Sequence, residues 1–165
     1  MPPDYQNILI LEGYEQEIRH FIEQAKGVWV DEDGLHATDF VFEKFIPKPK
    51  ELMCDKPKDK QVSEVLIKKY GYDNLFDWQV GTLGIISEPV KVIFEKEKNK
   101  YSFSFLEEEC PPLRALCAIS TQFPSLKFFL EFFSIPIPEE NIADHGKYEF
   151  VNGRMEVKRR DKCMF

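Results

Sequence analysis

Leu126-Lys127-Phe128-Phe129-Leu130-Glu131-Phe132-Phe133 is the stretch from which the fold can be read. Leu126, Phe128, Leu130 and Phe132 make one wholly apolar side; Lys127, Phe129, Glu131 and Phe133 make a mixed one. A period of two belongs to a β-strand with one face on a core. Moving toward the N-terminus, Pro124 bounds a helix opened by Pro111 and Pro112, where the first turn tolerates proline. Leu113, Leu116, Cys117 and Ser120 are its expected inner stripe. Before it, Tyr101, Phe103 and Phe105 share one face of a strand, and Val90, Val92 and Phe94 share a face of the strand Pro89 to Lys96, with Lys98-Asn99-Lys100 as the turn between them. Moving the other way, a Pro-rich loop from Ile135 to Glu140 leads to a hairpin. Its strands are Lys147–Val151 and Arg154–Lys158, and Asn152-Gly153 is a strong hairpin turn.

The N-terminal half begins with a buried strand, Asn7 to Leu11, broken by Gly13. From Tyr14 to Lys26 the spacing of Ile18, Phe21, Ile22 and Ala25 predicts a helix, with Glu15 and Glu17 in its first turn and Gly27 as its stop. Val28 to Ala37 reads as a loop or irregular hairpin. Thr38 to Ile46 reads as a second strand, with Phe40 and Phe42 on one side, ended by Pro47 and Pro49. Residues 44–60 hold six Lys against three acids and read as a solvated connection. Val62, Val65, Leu66 and Tyr70 mark a further helix closed by Gly71, Asp73 is placed to cap a short turn through Trp78, and Gly81-Thr82-Leu83-Gly84 breaks it. The order is strand, helix, strand, helical insert, strand, strand, helix, strand, hairpin. It predicts one α+β domain over residues 1–165, with helices on one face of a mostly antiparallel sheet, a helical insert at about 50–84 and a C-terminal hairpin at about 147–158.

Lys plus Arg number 22 and Asp plus Glu 29, a formal charge of −7. Broad attraction to nucleic acid or anionic lipid needs the opposite balance. Fifteen Phe in 165 residues predict an aromatic core. No apolar run approaches the ~20 residues that span a bilayer. Met1-Pro2-Pro3-Asp4-Tyr5-Gln6-Asn7 has neither a basic n-region nor a signal-peptide core, so a cytoplasmic location is expected. Cys54, Cys110, Cys117 and Cys163 form no Cys-x-x-Cys pair, and His20, His36 and His145 are scattered, so neither a disulfide framework nor a metal is expected. Asp31-Glu32-Asp33-Gly34 invites a calcium reading, but an EF-hand loop would need acids where Trp29 and Phe40 stand.

Several segments in order look familiar. Met1-Pro2 with Asn7-Ile8-Leu9, and Phe42-Glu43-Lys44-Phe45-Ile46-Pro47-Lys48-Pro49 with Glu51-Leu52, are followed by Lys69-Tyr70-Gly71-Tyr72, Asp77-Trp78 and Gly81-Thr82. Pro111-Pro112, Gln122-Phe123-Pro124, and Gly146-Lys147-Tyr148-Glu149-Phe150 with Asn152-Gly153 complete the series. Together they resemble the YubB-like (Api-type) proteins of phages and plasmids. That resemblance implies a ferredoxin-like (βαββαβ-type) domain on a mobile element, and it brings no biochemical activity with it. The family's Trp-Gly-Thr-Lys-Trp type of middle motif is Val80-Gly81-Thr82-Leu83-Gly84 here, and its Trp-Ser before the double proline is Glu109-Cys110.

No nucleophile elbow, P-loop or dinucleotide fingerprint is present. Glu107-Glu108-Glu109-Cys110 is the most catalytic-looking cluster. A helix N-terminus would lower the Cys110 thiol's pKa, and three carboxylates would raise it. The bland alternative is that the glutamates merely charge a helix start. RNA binding is a further alternative, because Tyr101-Ser102-Phe103-Ser104-Phe105 partly matches the stacking strand of ferredoxin-like RNA binders. It requires Phe103 and Phe105 to face solvent.

The leading expectation is a non-enzymatic interaction module without a cofactor. Its expected partner is a host or phage protein with a basic surface, and inhibition of a host defence or nucleic-acid-handling protein is the specific case. Candidate contact residues are Trp29, Asp31, Glu32, Asp33, Glu107, Glu108, Glu109 and Phe133.

Overall fold

The computed structural model describes residues 4–54, 56–135 and 142–164. Strands β1 (Asp4–Glu12), β4 (Val90–Glu97), β5 (Lys100–Glu108), β6 (Lys127–Ser134), β7 (Ile142–Val151) and β8 (Arg154–Met164) form one sheet in the order β4-β5-β1-β6-β7-β8. Every pairing in it is antiparallel. Helices α1 (Glu15–Ala25), α2 (Lys60–Tyr70), α3 (Leu75–Trp78) and α4 (Leu113–Ser120) complete an α+β architecture. None is long and apolar enough to cross a membrane.

Alternation builds the core. In β1 and β5 every second residue is buried, and Leu126, Phe128, Leu130 and Phe132 are all buried on or just before β6, as their spacing predicts. Cross-strand register stacks these positions into rows. Leu11 lies between Tyr101 and Phe128, Leu9 between Phe103 and Leu130, Asn7 between Phe105 and Phe132, and Tyr5 between Glu107 and Ser134. The covered face therefore changes from apolar to polar along the strands. Helix α1 presses Phe21 into it; that ring sits 4.7 Å from Phe45, 5.2 Å from Phe123 and 5.4 Å from Phe128. Helix α4 buries Ala115, Leu116, Ile119 and Ser120, so its inner stripe is turned by one position from the expected one, and Leu113 and Cys117 are only half-buried.

The second-strand reading of Thr38 to Ile46 is corrected. Strands β2 (Gly27–Asp31) and β3 (Gly34–Thr38) form a separate two-stranded ribbon, and the chain then runs as a strap with a 3-10 turn at Phe42–Lys44. Phe40, Val41, Phe42 and Phe45 are all buried, which fits no period of two. The strap's amides are met by a side chain instead of a strand: the Glu88 carboxylate accepts from the N–H of Phe42 at 2.6 Å and of Glu43 at 3.1 Å. Gly27 is not a left-handed helix stop. A Cβ there would stand 2.5 Å from Val41 Cγ2, so the position serves close packing.

The insert caps as expected at one end, where Gly71 (φ 81°) returns its N–H to Ile67 O at 2.8 Å. The short α3 is capped by Asn74 and not by Asp73, whose carboxylate accepts from Ser63. A π-helical turn over Gln79–Leu83 follows and ends at Gly84 (φ 65°). The hairpin is longer than its sequence signal, and Asn152 (φ 45°) with Gly153 (φ 76°) makes its turn. Apart from Ile135, the Pro-rich loop lies outside the described residues.

Candidate functional site

The contact residues expected from the sequence fall in three places. Trp29, Asp31, Glu32 and Asp33 share the β2–β3 ribbon. Alternation puts Trp29, Asp31 and His36 on one side of it, where the Trp29 and His36 rings stack at 4.5 Å and His36 Nε2 lies 2.8 Å from Asp31 Oδ1. The same oxygen accepts from the N–H of Asp33 and of Gly34, so Asp31 builds the turn. The His36 hydrogen bond holds its carboxyl below the ordinary range. Glu32 and Asp33 stand exposed at the tip. The other side carries Val28, Val30 and Leu35, 64%, 69% and 74% exposed, beside Ala37. Trp29 also borders a groove of about 430 Å³ against Val90 and Lys91 at the start of β4.

The glutamate run divides. Glu108 and Glu109 are exposed, but Glu107 is buried and is withdrawn as a contact residue. The reason was legible in the sequence: the inward parity of Tyr101, Phe103 and Phe105 continues to 107. Neither Glu107 oxygen has a hydrogen-bond partner among the described residues. Burial, with Glu88 and Glu108 adding to it, raises its pKa well above the ordinary 4.5. A raised acid favours folding below its unfolded pKa, and that contribution is lost as pH rises through the folded one. Glu107→Gln removes the loss. Its thermal stability should match wild type near pH 4.5 and exceed it increasingly toward neutral pH in melts across that range. A pH-independent difference would mean that Glu107 does not titrate in the fold.

Cys110 precedes α4, and its Sγ donates to Gly84 O at 3.0 Å. Burial, then Glu107 and Glu109, push the thiol upward, whereas an activated nucleophile needs the opposite shift. Phe103 and Phe105 are fully buried, so the expected stacking platform faces the core. Strand parity places Ser102 and Ser104 on the open face in their stead. Phe133 is exposed on that open face, in the row of Gln6 and Leu106.

Sequence reading missed the polar end of the covered face. Tyr5 Oη donates to Asp144 Oδ2 at 3.1 Å, and Arg160 donates to the same oxygen at 2.6 Å and to Tyr148 Oη at 3.1 Å. The Arg160 guanidinium lies 4.8 Å over the Phe132 ring. Burial first, and Asp144 second, push the Tyr5 phenol up to about 12. Tyr5 and Asp144 are 139 residues apart, so only the strand register brings them together. No group of three or more His, Cys, Asp or Glu side chains able to hold a metal ion gathers among the described residues.

No family model, curated protein or solved structure matches this chain.

Proposed function

We propose that this chain is a non-enzymatic protein-interaction module of a phage or plasmid, acting in the cytoplasm of the host cell. It engages a host or phage protein with a basic surface, and inhibits a host defence or nucleic-acid-handling protein by occupying that surface. The observation that carries the reading is the β2–β3 ribbon. An isolated two-stranded ribbon is marginal in water, yet this one turns Val28, Val30 and Leu35 to solvent. Its tip adds Glu32 and Asp33. An apolar strip ending in exposed carboxylates suits a partner with an apolar groove flanked by basic side chains.

The family resemblance rests on the sequence motifs. The strand order β4-β5-β1-β6, with α1 after β1 and α4 after β5, supports reading the core as ferredoxin-like, extended by β7 and β8. Salt is the first test. A protein retained from host lysate by the immobilised chain should be released as salt rises from about 0.05 to about 0.5 M, because exposed charges are screened over that range. Glu32→Lys with Asp33→Lys should weaken retention at low salt. Retention indifferent to both changes would remove the electrostatic half of the proposal.

A further inference from the structure

A cavity of about 690 Å³ opens between the π-helical turn, the residues before α4, and β8. Two of its lining residues are arginines. Arg160 is pinned by Asp144, Tyr148 and the Phe132 ring, and Arg114 donates to Gly81 O at 2.8 Å. Among the described residues these bonds leave further N–H donors on both guanidiniums, since a guanidinium carries more donors than they use. The walls between them are apolar: Val80, Ile86, Leu113 and Met155 line the same space. Val80 and Met155 remain exposed there.

The backbone around the opening is irregular in two places. The Gln79–Leu83 turn is π-helical, a geometry that concentrates at functional sites. Glu109 is a non-glycine residue at φ 64°, a conformation that costs on the order of 1 kcal/mol or more and persists only where the surroundings enforce it. Glu109 also lines the cavity, so its carboxylate opposes a second negative charge on any ligand. With Asp144 already paired to Arg160 and Glu109 offsetting Arg114, the opening offers directed donors with little net positive charge, which selects against a phosphate dianion and suits a single negative charge at most.

We propose that this cavity binds a small organic monoanion, a carboxylate or sulfonate on an apolar body. Its charged end takes the remaining donors of Arg160 and Arg114, and its apolar end lies on Val80, Ile86, Leu113 and Met155. Arg160 is already immobilised, so little side-chain entropy remains to be lost on binding. The site is independent of the β2–β3 ribbon.

The test uses 1-anilinonaphthalene-8-sulfonate, which carries one sulfonate on an aromatic body, followed by fluorescence on the full chain. Saturable binding of one dye per chain is expected, displaced by decanoate and not by decyltrimethylammonium. Arg114→Gln, at an exposed position, should weaken the dye about tenfold, the scale of one charge-assisted hydrogen bond. Val80→Glu should abolish binding, and Glu109→Gln should tighten it. Val30→Lys should leave it unchanged, which separates the cavity from the ribbon's apolar side. Absence of dye binding, equal displacement by the cationic competitor, or binding indifferent to both Arg114→Gln and Val80→Glu overturns the proposal.

Discussion

Phe21→Ala should lower the unfolding free energy by about 3–5 kcal/mol, the cost of deleting a buried aromatic side chain. Phe21 is fully buried and lies within about 6 Å of Phe40, Phe45, Phe103, Phe123 and Phe128, so its ring joins α1, the strap, two strands and the α4 exit. Neighbours contributed by four segments cannot all close on one void, which places the loss toward the upper part of the range. A domain's whole stability is about 5–15 kcal/mol. The variant should therefore melt about 6–20 °C below wild type. Urea unfolding followed by circular dichroism measures it. Phe133→Ala, on the open face, is the control and should cost under about 1 kcal/mol. Similar losses at the two positions would contradict the placement of the core.

Asp144→Ala should cost about 2–3 kcal/mol, because it removes the shared acceptor of Tyr5 and of the part-buried Arg160. Asp144 is 5% exposed and its Oδ2 accepts from both Tyr5 and Arg160. Its loss leaves a phenol without an acceptor and a guanidinium held over Phe132 without a counter-charge. Adding Arg160→Met should restore part of the stability, since an apolar replacement of both partners is far less costly than an orphaned charge. The Tyr5 phenol, now at about 12, should also change its titration in the Asp144→Ala variant. A single variant as stable as wild type, or a double variant no better than the single one, would show that Asp144 and Arg160 are not coupled as described.

These two sites differ in how readable they are. Phe21 follows from helical spacing, and the inward residues of β1, β5 and β6 follow from alternation. The hairpin turn follows from Asn152-Gly153. The strap at 40–46 misleads because Phe40 and Phe42 alternate while Val41 and Phe45 are also buried; the chain there plugs a core and pairs with no strand. Glu107 misleads for the opposite reason. Its charge suggests solvent, and the parity of its strand overrides the charge. The Tyr5–Asp144–Arg160 cluster has no local signature, because β1, β7 and β8 meet only through strand order. Within the ribbon, the acidic run marks the turn, but nothing in residues 28–37 alone tells that Val28, Val30 and Leu35 go uncovered.

The exposed ribbon is the element to which the proposed interaction is assigned. Val30→Lys with Leu35→Lys changes two exposed side chains on one side of it and touches no core residue. Its melting temperature should stay close to that of wild type. The decisive measurement is a parallel capture from natural-host lysate at low salt by wild type and by this variant, with the retained proteins identified by mass spectrometry. One protein should be held by wild type, released by salt, and absent from the variant's eluate. The same protein held equally by a well-folded variant would contradict the ribbon as the docking element, and with it the interaction reading built upon it.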